Sequence, residues 1–309
     1  MSKRNILLLY TNFHIGGAQR HIIDLAKGLM KKNINVIVGS GGGLLVDELN
    51  ENEIIHEELI RHSMNPLLIL KSIIKIIRCI KNNRIDLVHS HHRFTNLLVS
   101  IAGKLMVSPP EFVSTAHNVF PNYHKFGFWL NKTICCSSLT QKYISKVSKS
   151  RTIVIHNSIF ENNLRKESEL VKHEIGITGD KVVLINVGRI CKQKAQSNII
   201  EIVKLIEKER SSINSKYIFV IVGDGPERKA LEILIKTNKL EDKIKLIGER
   251  NNVSDLLNIS DIFVLTSKWE GLPLTILEAA SIGLPIVSTD VGAVSDFIVN
   301  NQNGFLIDY

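Results

Sequence analysis

The sequence predicts an α/β fold: two Rossmann-like, doubly wound parallel-sheet domains carried by one chain. Three observations predict it. Short, nearly continuous aliphatic runs alternate with longer amphipathic stretches. That alternation passes through the chain twice. Glycines, cations, histidines and acids fall just after the apolar runs. Strands buried on both faces read as unbroken apolar runs, and strand–helix alternation builds parallel sheets covered on both sides.

In the first half, the strand-like runs are Asn5–Tyr10, Ile34–Val38, Ile85–His89, Glu111–Thr115, Thr133–Cys136 and Thr152–Ile155. In the second half they are Val182–Val187, Tyr217–Val222, Ile244–Ile247, Ile262–Leu265 and Pro285–Ser288. Between them, Ala18–Met30 places Ile22, Ile23, Ala26, Leu29 and Met30 on one helical face. Helices are also predicted over Ile199–Glu209 and Glu227–Thr237. A polar, poorly periodic stretch, Phe160–Asp180, sets the domain boundary, giving domains of residues 1–160 and 161–309. Two such domains enclose a cleft, and ligands bind doubly wound sheets beyond the carboxyl ends of their strands.

At 309 residues, with 44% hydrophobic and 22% charged side chains, the chain is long enough for two ordinary cores. Aromatics are 6%, so aliphatic side chains must fill those cores. Nothing at the N-terminus resembles a signal peptide, and no apolar run is long enough to span a bilayer. Cys79, Cys135, Cys136 and Cys191 lack metal-ligand spacing, so reduced thiols in a cytoplasmic protein are expected. Residues 1–160 hold 20 Lys and Arg against 9 Asp and Glu; residues 161–309 hold 19 against 21. A basic first half suits a polyanion or an anionic membrane surface, on the inner face of the cytoplasmic membrane; lineage composition does not explain the asymmetry.

The second half carries the sharper signals. Arg189 and Lys194 follow the run Val182–Val187, where two cations can hold a diphosphate or remain solvated loop charges. The turn Gly223–Arg228, GDGPER, lets backbone approach a ligand, and Pro226 suits the first turn of the next helix; an ordinary strand-to-helix turn reads alike. The segment Glu270–Glu278, EGLPLTILE, follows Ile262–Leu265. Pro273 suits a first helical turn, so the amides of Leu274 and Thr275 would form a positive phosphate site. Glu278 has two oxygens for two ribose hydroxyls, and Glu270 suits a sugar hydroxyl. Helix-capping surface carboxylates are the plainer alternative.

In the first half, Gly16 and Gly17 precede the first helix and allow an amide to approach phosphate or sugar. Their spacing is not that of a dinucleotide dehydrogenase. His117 follows Glu111–Thr115, where it can donate a hydrogen bond or shuttle a proton. His89, His91 and His92 cluster at another strand end. Without a carboxylate or cysteine partner they are expected to line the cleft, His91 being a further candidate. No Asp-x-Asp occurs, so no catalytic divalent cation is expected.

Residues 188–304 resemble the donor domain of glycosyltransferase family 4, of GT-B fold. VGR with its following Lys, GDGPER, EGLPLTILE, GLPIVSTDVGAVSD and NGFLI carry the likeness. GGAQRHIIDLAKGL, DLVHSHH, STAHN and IHNSI extend it through the first half. The resemblance implies a nucleoside-diphosphate sugar donor, a UDP-sugar, used without a further cofactor. It implies that Arg189 and Lys194 hold the diphosphate, Glu278 the ribose and Glu270 the transferred sugar. It also implies a metal-independent, retaining hexosyl transfer by front-face attack, the leaving phosphate helping to take the acceptor proton. Ala195 stands where the family usually has Gly; the cation is kept while the loop is reshaped. The family continues beyond the residue matching Tyr309, so the chain is expected to lack its usual final helices.

The expected acceptor is a saccharide or lipid-linked glycan of cell-envelope polysaccharide or lipopolysaccharide synthesis, and no nucleic-acid partner is expected. A sugar-nucleotide epimerase and a shortened, non-catalytic, membrane-associated sugar-nucleotide-binding protein are the alternatives. Pro66–Lys81 places Lys71, Lys75, Arg78 and Lys81 along one helical stripe. Such a helix either lies on an anionic membrane or buries its aliphatic face and solvates its basic one.

Overall fold

The computed structural model describes residues 3–118, 130–149, 151–159, 168–209 and 216–309. The chain forms two compact units, Met1–Asn157 and Ser158–Tyr309. Residues 160–167 of the expected boundary stretch lie outside the described residues, and Ser168–Glu174 within that stretch is a helix.

The first unit runs β1 (Asn5–Leu9), α1 (Gly17–Lys31), β2 (Asn35–Ser40), α2 (Val46–Glu51), β3 (Ile55–Glu58), α3 (Pro66–Asn82) and β4 (Leu87–Ser90). It continues with α4 (Arg93–Leu105), β5 (Glu111–Ala116), β6 (Lys132–Cys135), α5 (Ser138–Val147) and β7 (Arg151–Val154). Its seven strands are all parallel, in the order β3-β2-β1-β4-β5-β6-β7. The order reverses between β1 and β4, whose registers match Ile6 with Leu87 through Leu9 with Ser90.

The second unit runs α6 (Ser168–Glu174), β8 (Val182–Val187), α7 (Ser197–Lys208), β9 (Tyr217–Val222), α8 (Arg228–Thr237), β10 (Ile244–Gly248) and α9 (Val253–Asn258). Then come β11 (Ile262–Leu265), α10 (Leu274–Ser281), β12 (Ile286–Thr289), a 3₁₀ turn (Val294–Asp296) and β13 (Gly304–Ile307). Its parallel strands take the order β10-β9-β8-β11-β12-β13, reversing between β8 and β11.

Alternation along each central strand feeds two cores per unit. Leu7 and Leu9 of β1 pack with α3 and α4, while Leu8 packs with α1 and α2. Val183, Ile185 and Val187 of β8 join one core of the second unit, and Leu184 lies against the other with Phe219 and Val264. Each fully buried aliphatic side chain contributes about 1.5–3 kcal/mol, so these layers hold the strand exits rigidly in place.

Side-chain caps mark two helix starts. Asn65 caps α3 by accepting from the Leu67 amide, with Pro66 next in the chain, and Ser137 caps α5 by accepting from Thr140. Strand and helix ends move by one or two residues from the sequence reading. Two corrections concern prolines. Pro226 lies two residues before α8, which opens at Arg228. Pro273 is extended (ψ 124°) and caps α10 rather than sitting in its first turn. No helix among the described residues is long and apolar enough to cross a membrane.

Candidate functional site

In the second unit, the reversal of strand order brings the β8–α7 loop beside the β11–α10 loop. The Lys194 ammonium pairs with Glu270 Oε1 at 2.7 Å, and both side chains are largely buried. Ser267 donates its hydroxyl to the same oxygen at 2.7 Å, and Gln193 Nε2 donates to Oε2 at 3.3 Å. The loops are sewn together around this pair. The Lys268 amide donates to the Gln193 carbonyl at 2.7 Å, and Gln193 Nε2 donates to the Trp269 carbonyl at 2.9 Å. Thr266 Oγ1 donates to the carbonyls of Lys194 and Ala195. Lys194 and Glu270, assigned from sequence to different parts of a ligand, are thus direct partners. An ammonium has three N–H donors, so this contact leaves Lys194 capacity for a phosphate oxygen.

Leu274 and Thr275 open α10, where first-turn amides lack intrahelical acceptors and the helix dipole is positive. Thr275 Oγ1 is buried there with no hydrogen-bond partner among the described residues. Glu278 is half-buried one turn further along. Gly292, in the left-handed region at φ 69°, closes the next loop onto the same place. A Cβ there would lie 2.5 Å from the carbonyl oxygens of Glu270 and Gly271.

Arg189 and Gly223 serve differently. The Arg189 side chain is exposed and makes no ion pair among the described residues. Gly223 has φ 133°, and a Cβ on it would lie 2.1 Å from the Gly188 carbonyl oxygen. Its missing side chain is therefore explained by the packing of one loop on the other. The Ile190 amide donates to the Asp224 carbonyl at 2.9 Å across the same contact. Ala195 adopts φ 48°, the left-handed conformation in which the glycine it replaces is free of strain.

In the first unit, the corresponding reversal gathers imidazoles. Gly16 is the N-cap of α1, in extended backbone open to any residue (φ 175°), and Gly17 is the first helical residue. The first turn of α1 holds no acid. His91 follows β4 and His117 follows β5; His91 Nδ1 and His117 Nε2 are 3.1 Å apart. His89 Nε2 lies 2.7 Å from Thr115 Oγ1, and its ring sits 4.1 Å from that of His91. His21, from α1, places its ring edge-on to His117 at 4.9 Å. Burial holds these imidazoles neutral: His21 is lowered to about 4 and His89 to about 3. His91 and His117 are lowered well below the usual value, first by burial and then by their neighbours. His92 leaves this group. Its Nδ1 accepts from the Phe94 amide and caps α4, so it is a structural residue of the loop.

Sequence reasoning did not find His21, Gln193, Thr266, Ser267 or Gly292. His21 lies inside the motif GGAQRHIIDLAKGL, where its neighbour Ile22 advertised only a core face. Ser267 and Thr266 directly follow an apolar run, the same placement that drew attention to Glu270.

Two family models match the chain. Glycosyltransferase Family 4 covers residues 15–160, and Glycosyl transferases group 1 covers residues 167–309. The chain belongs to the family 4 glycosyltransferases. It is 30% identical over 262 residues to the UDP-Gal:alpha-D-GlcNAc-diphosphoundecaprenol alpha-1,3-galactosyltransferase of Escherichia coli, covering 77% of this chain and 66% of that protein. It is 25% identical to the N-acetyl-alpha-D-glucosaminyl L-malate synthase of Bacillus anthracis over 76% of this chain and 64% of that one. The chain thus spans about two thirds of the length of these curated relatives. The structure of Anabaena HepE in complex with UDP and glucose superimposes with a TM-score of 0.83 at 21% identity, covering 99% of this chain and 86% of that one. A glycosyltransferase of Rickettsia africae gives 0.79 at 23%, covering 100% and 85%. These likenesses agree with two Rossmann-like domains.

Proposed function

We propose that the protein transfers a hexose from a nucleoside-diphosphate sugar, a UDP-sugar, to the hydroxyl of a saccharide or lipid-linked acceptor in cell-envelope glycan synthesis, with retained anomeric configuration. The observation that carries the proposal is the buried Lys194–Glu270 pair beside the start of α10. A cation, free first-turn amides and an unpartnered hydroxyl at Thr275 converge where a pyrophosphate would gain charge as it leaves. The relatives named for UDP-Gal and N-acetylglucosaminyl chemistry, and the neighbour holding UDP and glucose, support this donor class.

In this reading the bond from the sugar C1 to the β-phosphate oxygen breaks and a bond from C1 to the acceptor oxygen forms on the same face. The acceptor proton passes to the departing phosphate. Lys194, the exposed Arg189 and the amides of Leu274 and Thr275 stabilise the diphosphate without a metal. Glu278 takes the ribose hydroxyls and Glu270 a sugar hydroxyl. Gly223 keeps the loop bearing Arg189 in place. In the first unit, His117 has a ring N–H to offer a sugar hydroxyl, and Gly16 and Gly17 leave the start of α1 open to a phosphate or sugar.

A membrane-facing acceptor is supported by α3. Leu67, Leu70 and Ile74 are exposed on the same face as Lys71, Arg78 and Lys81, so the aliphatic side chains are not all buried, as a simple solvated domain helix would require. That stripe and the basic first half support peripheral attachment to an anionic leaflet.

The test is thermal stabilisation by UDP-, GDP- and ADP-sugars, followed by nuclear magnetic resonance of the product anomer with and without a chelator. A UDP-sugar should stabilise the wild type and not Glu278→Ala, and product should form with retained configuration in chelator. An inverted product, or activity restored only by manganese, overturns the mechanism.

A further inference from the structure

We propose that His21, His91 and His117 form a binding site for a late first-row divalent cation such as zinc, separate from the proposed diphosphate site. One ring nitrogen from each lies within 4.8 Å of the other two. They come from three different elements: α1, the loop after β4 and the loop after β5. Their convergence is therefore fixed by the sheet rather than by one flexible segment.

Ligand chemistry fits. Neutral imidazole is a ligand for zinc, copper and nickel, and three histidines with an open fourth position are an established zinc donor set. Zinc–nitrogen bonds of about 2.0–2.1 Å put tetrahedral ligands about 3.3 Å apart. The 3.1 Å between His91 Nδ1 and His117 Nε2 is already near that spacing. His91 is only 3% exposed, so an ion held on its Nδ1 would be largely shielded from water. His21 is half-buried and already brings a ring nitrogen within reach of the other two, closing the third side. His89 and His92 bring no ring nitrogen into this group, and the His92 Nδ1 caps α4. The fourth position is left to water or to an oxygen of a ligand. An ion here would take His117 out of any contact with a sugar, so the site is inhibitory if His117 acts as proposed above. Binding itself does not depend on that role.

The test uses the full chain and added metal alone. Cobalt(II) titration should reach one equivalent with the visible bands of a four-coordinate nitrogen–oxygen site, and zinc should displace it. Competition against a chromophoric chelator then gives the zinc affinity. His21→Gln and His117→Gln should each weaken it by more than the roughly 10–100-fold that loss of a mere supporting hydrogen bond causes. His62→Gln and His156→Gln should leave it unchanged. His91→Ala removes the buried ligand and is read only if its circular dichroism matches the wild type; His21→Gln, on a half-buried residue, decides otherwise. Absence of a stoichiometric site, or a site that survives His21→Gln and His117→Gln, overturns the proposal. Inhibition of sugar transfer is measured separately, so metal binding without inhibition counts against the role of His117 and not against the site.

Discussion

Where strand order reverses, the first sheet gathers imidazoles and the second gathers a lysine and a glutamate. Both are buried polar groups at the carboxyl ends of parallel strands, yet they solve burial in opposite ways. The imidazoles avoid charge, because desolvation drives their protons off. Lys194 and Glu270 keep charge by pairing, and Ser267 and Gln193 also donate to the carboxylate, which keeps room for one more donor. The first arrangement is therefore sensitive to pH, while the second is sensitive to the loss of either partner.

The largest expected effect breaks the second arrangement. Lys194→Ala strands a buried carboxylate, which should cost about 3–5 kcal/mol of stability. It should also lower transfer by about 100–1000-fold, the usual effect of removing a preorganised group that stabilises transition-state charge. The double variant Lys194→Met with Glu270→Leu should recover stability in chemical denaturation without recovering transfer. Recovery of both would show that the pair is only structural.

Acidification probes the first arrangement. His21 and His92 are lowered to about 4 and His89 to about 3, from 6.5. Between pH 6.5 and about 4 the unfolded chain binds protons that the native imidazoles refuse, so stability rises with pH across that window and is lost on acidification. Thermal unfolding should be steady above pH 7 and fall steeply below 6.5. His21→Gln should flatten the slope, and a flat profile down to pH 5 in the wild type would contradict the burial described.

Smaller effects test the loops. Gly223→Ala forces a Cβ against the Gly188 carbonyl and should destabilise by about 1–3 kcal/mol in a urea titration, with weakened nucleotide binding as Arg189 moves. Ala195→Gly should do least. It relieves a left-handed alanine worth about 1–2 kcal/mol but adds about 0.5–1 kcal/mol of unfolded-state entropy. A shift of the urea midpoint upward by under 1 kcal/mol is expected, with transfer unchanged.

The fold was legible where strands are central. Val182–Val187, Tyr217–Val222 and Ile262–Leu265 are apolar save for the buried Asn186 because helices cover both faces, and their bounds match the structure. The missed strands, β3 with sequence IHEE and β13 with GFLI, lie at sheet edges with one neighbour each and expose half their side chains. Nothing in their local pattern demanded a strand. Lys194 and Glu270 were each picked out from the sequence, one residue at a time. Their pairing was not, because it depends on which strands become neighbours, and β8 meets β11 only by skipping two intervening strands. His21 was hidden for the same reason: α1 reaches His117 only once β5 has taken its place two strands away from β1.

Glu270 meets three donors from its own protein before any ligand arrives: Lys194, Ser267 and Gln193. Its rotamer is frozen in advance, and the surrounding loops, clamped by Thr266 and Gly292, have little freedom left to lose. In the proposed reaction, an incoming sugar would meet a carboxylate already aimed. Selectivity at that position should follow from which hydroxyl happens to point toward it, since a rigid acceptor rejects a misplaced epimer instead of bending to meet it.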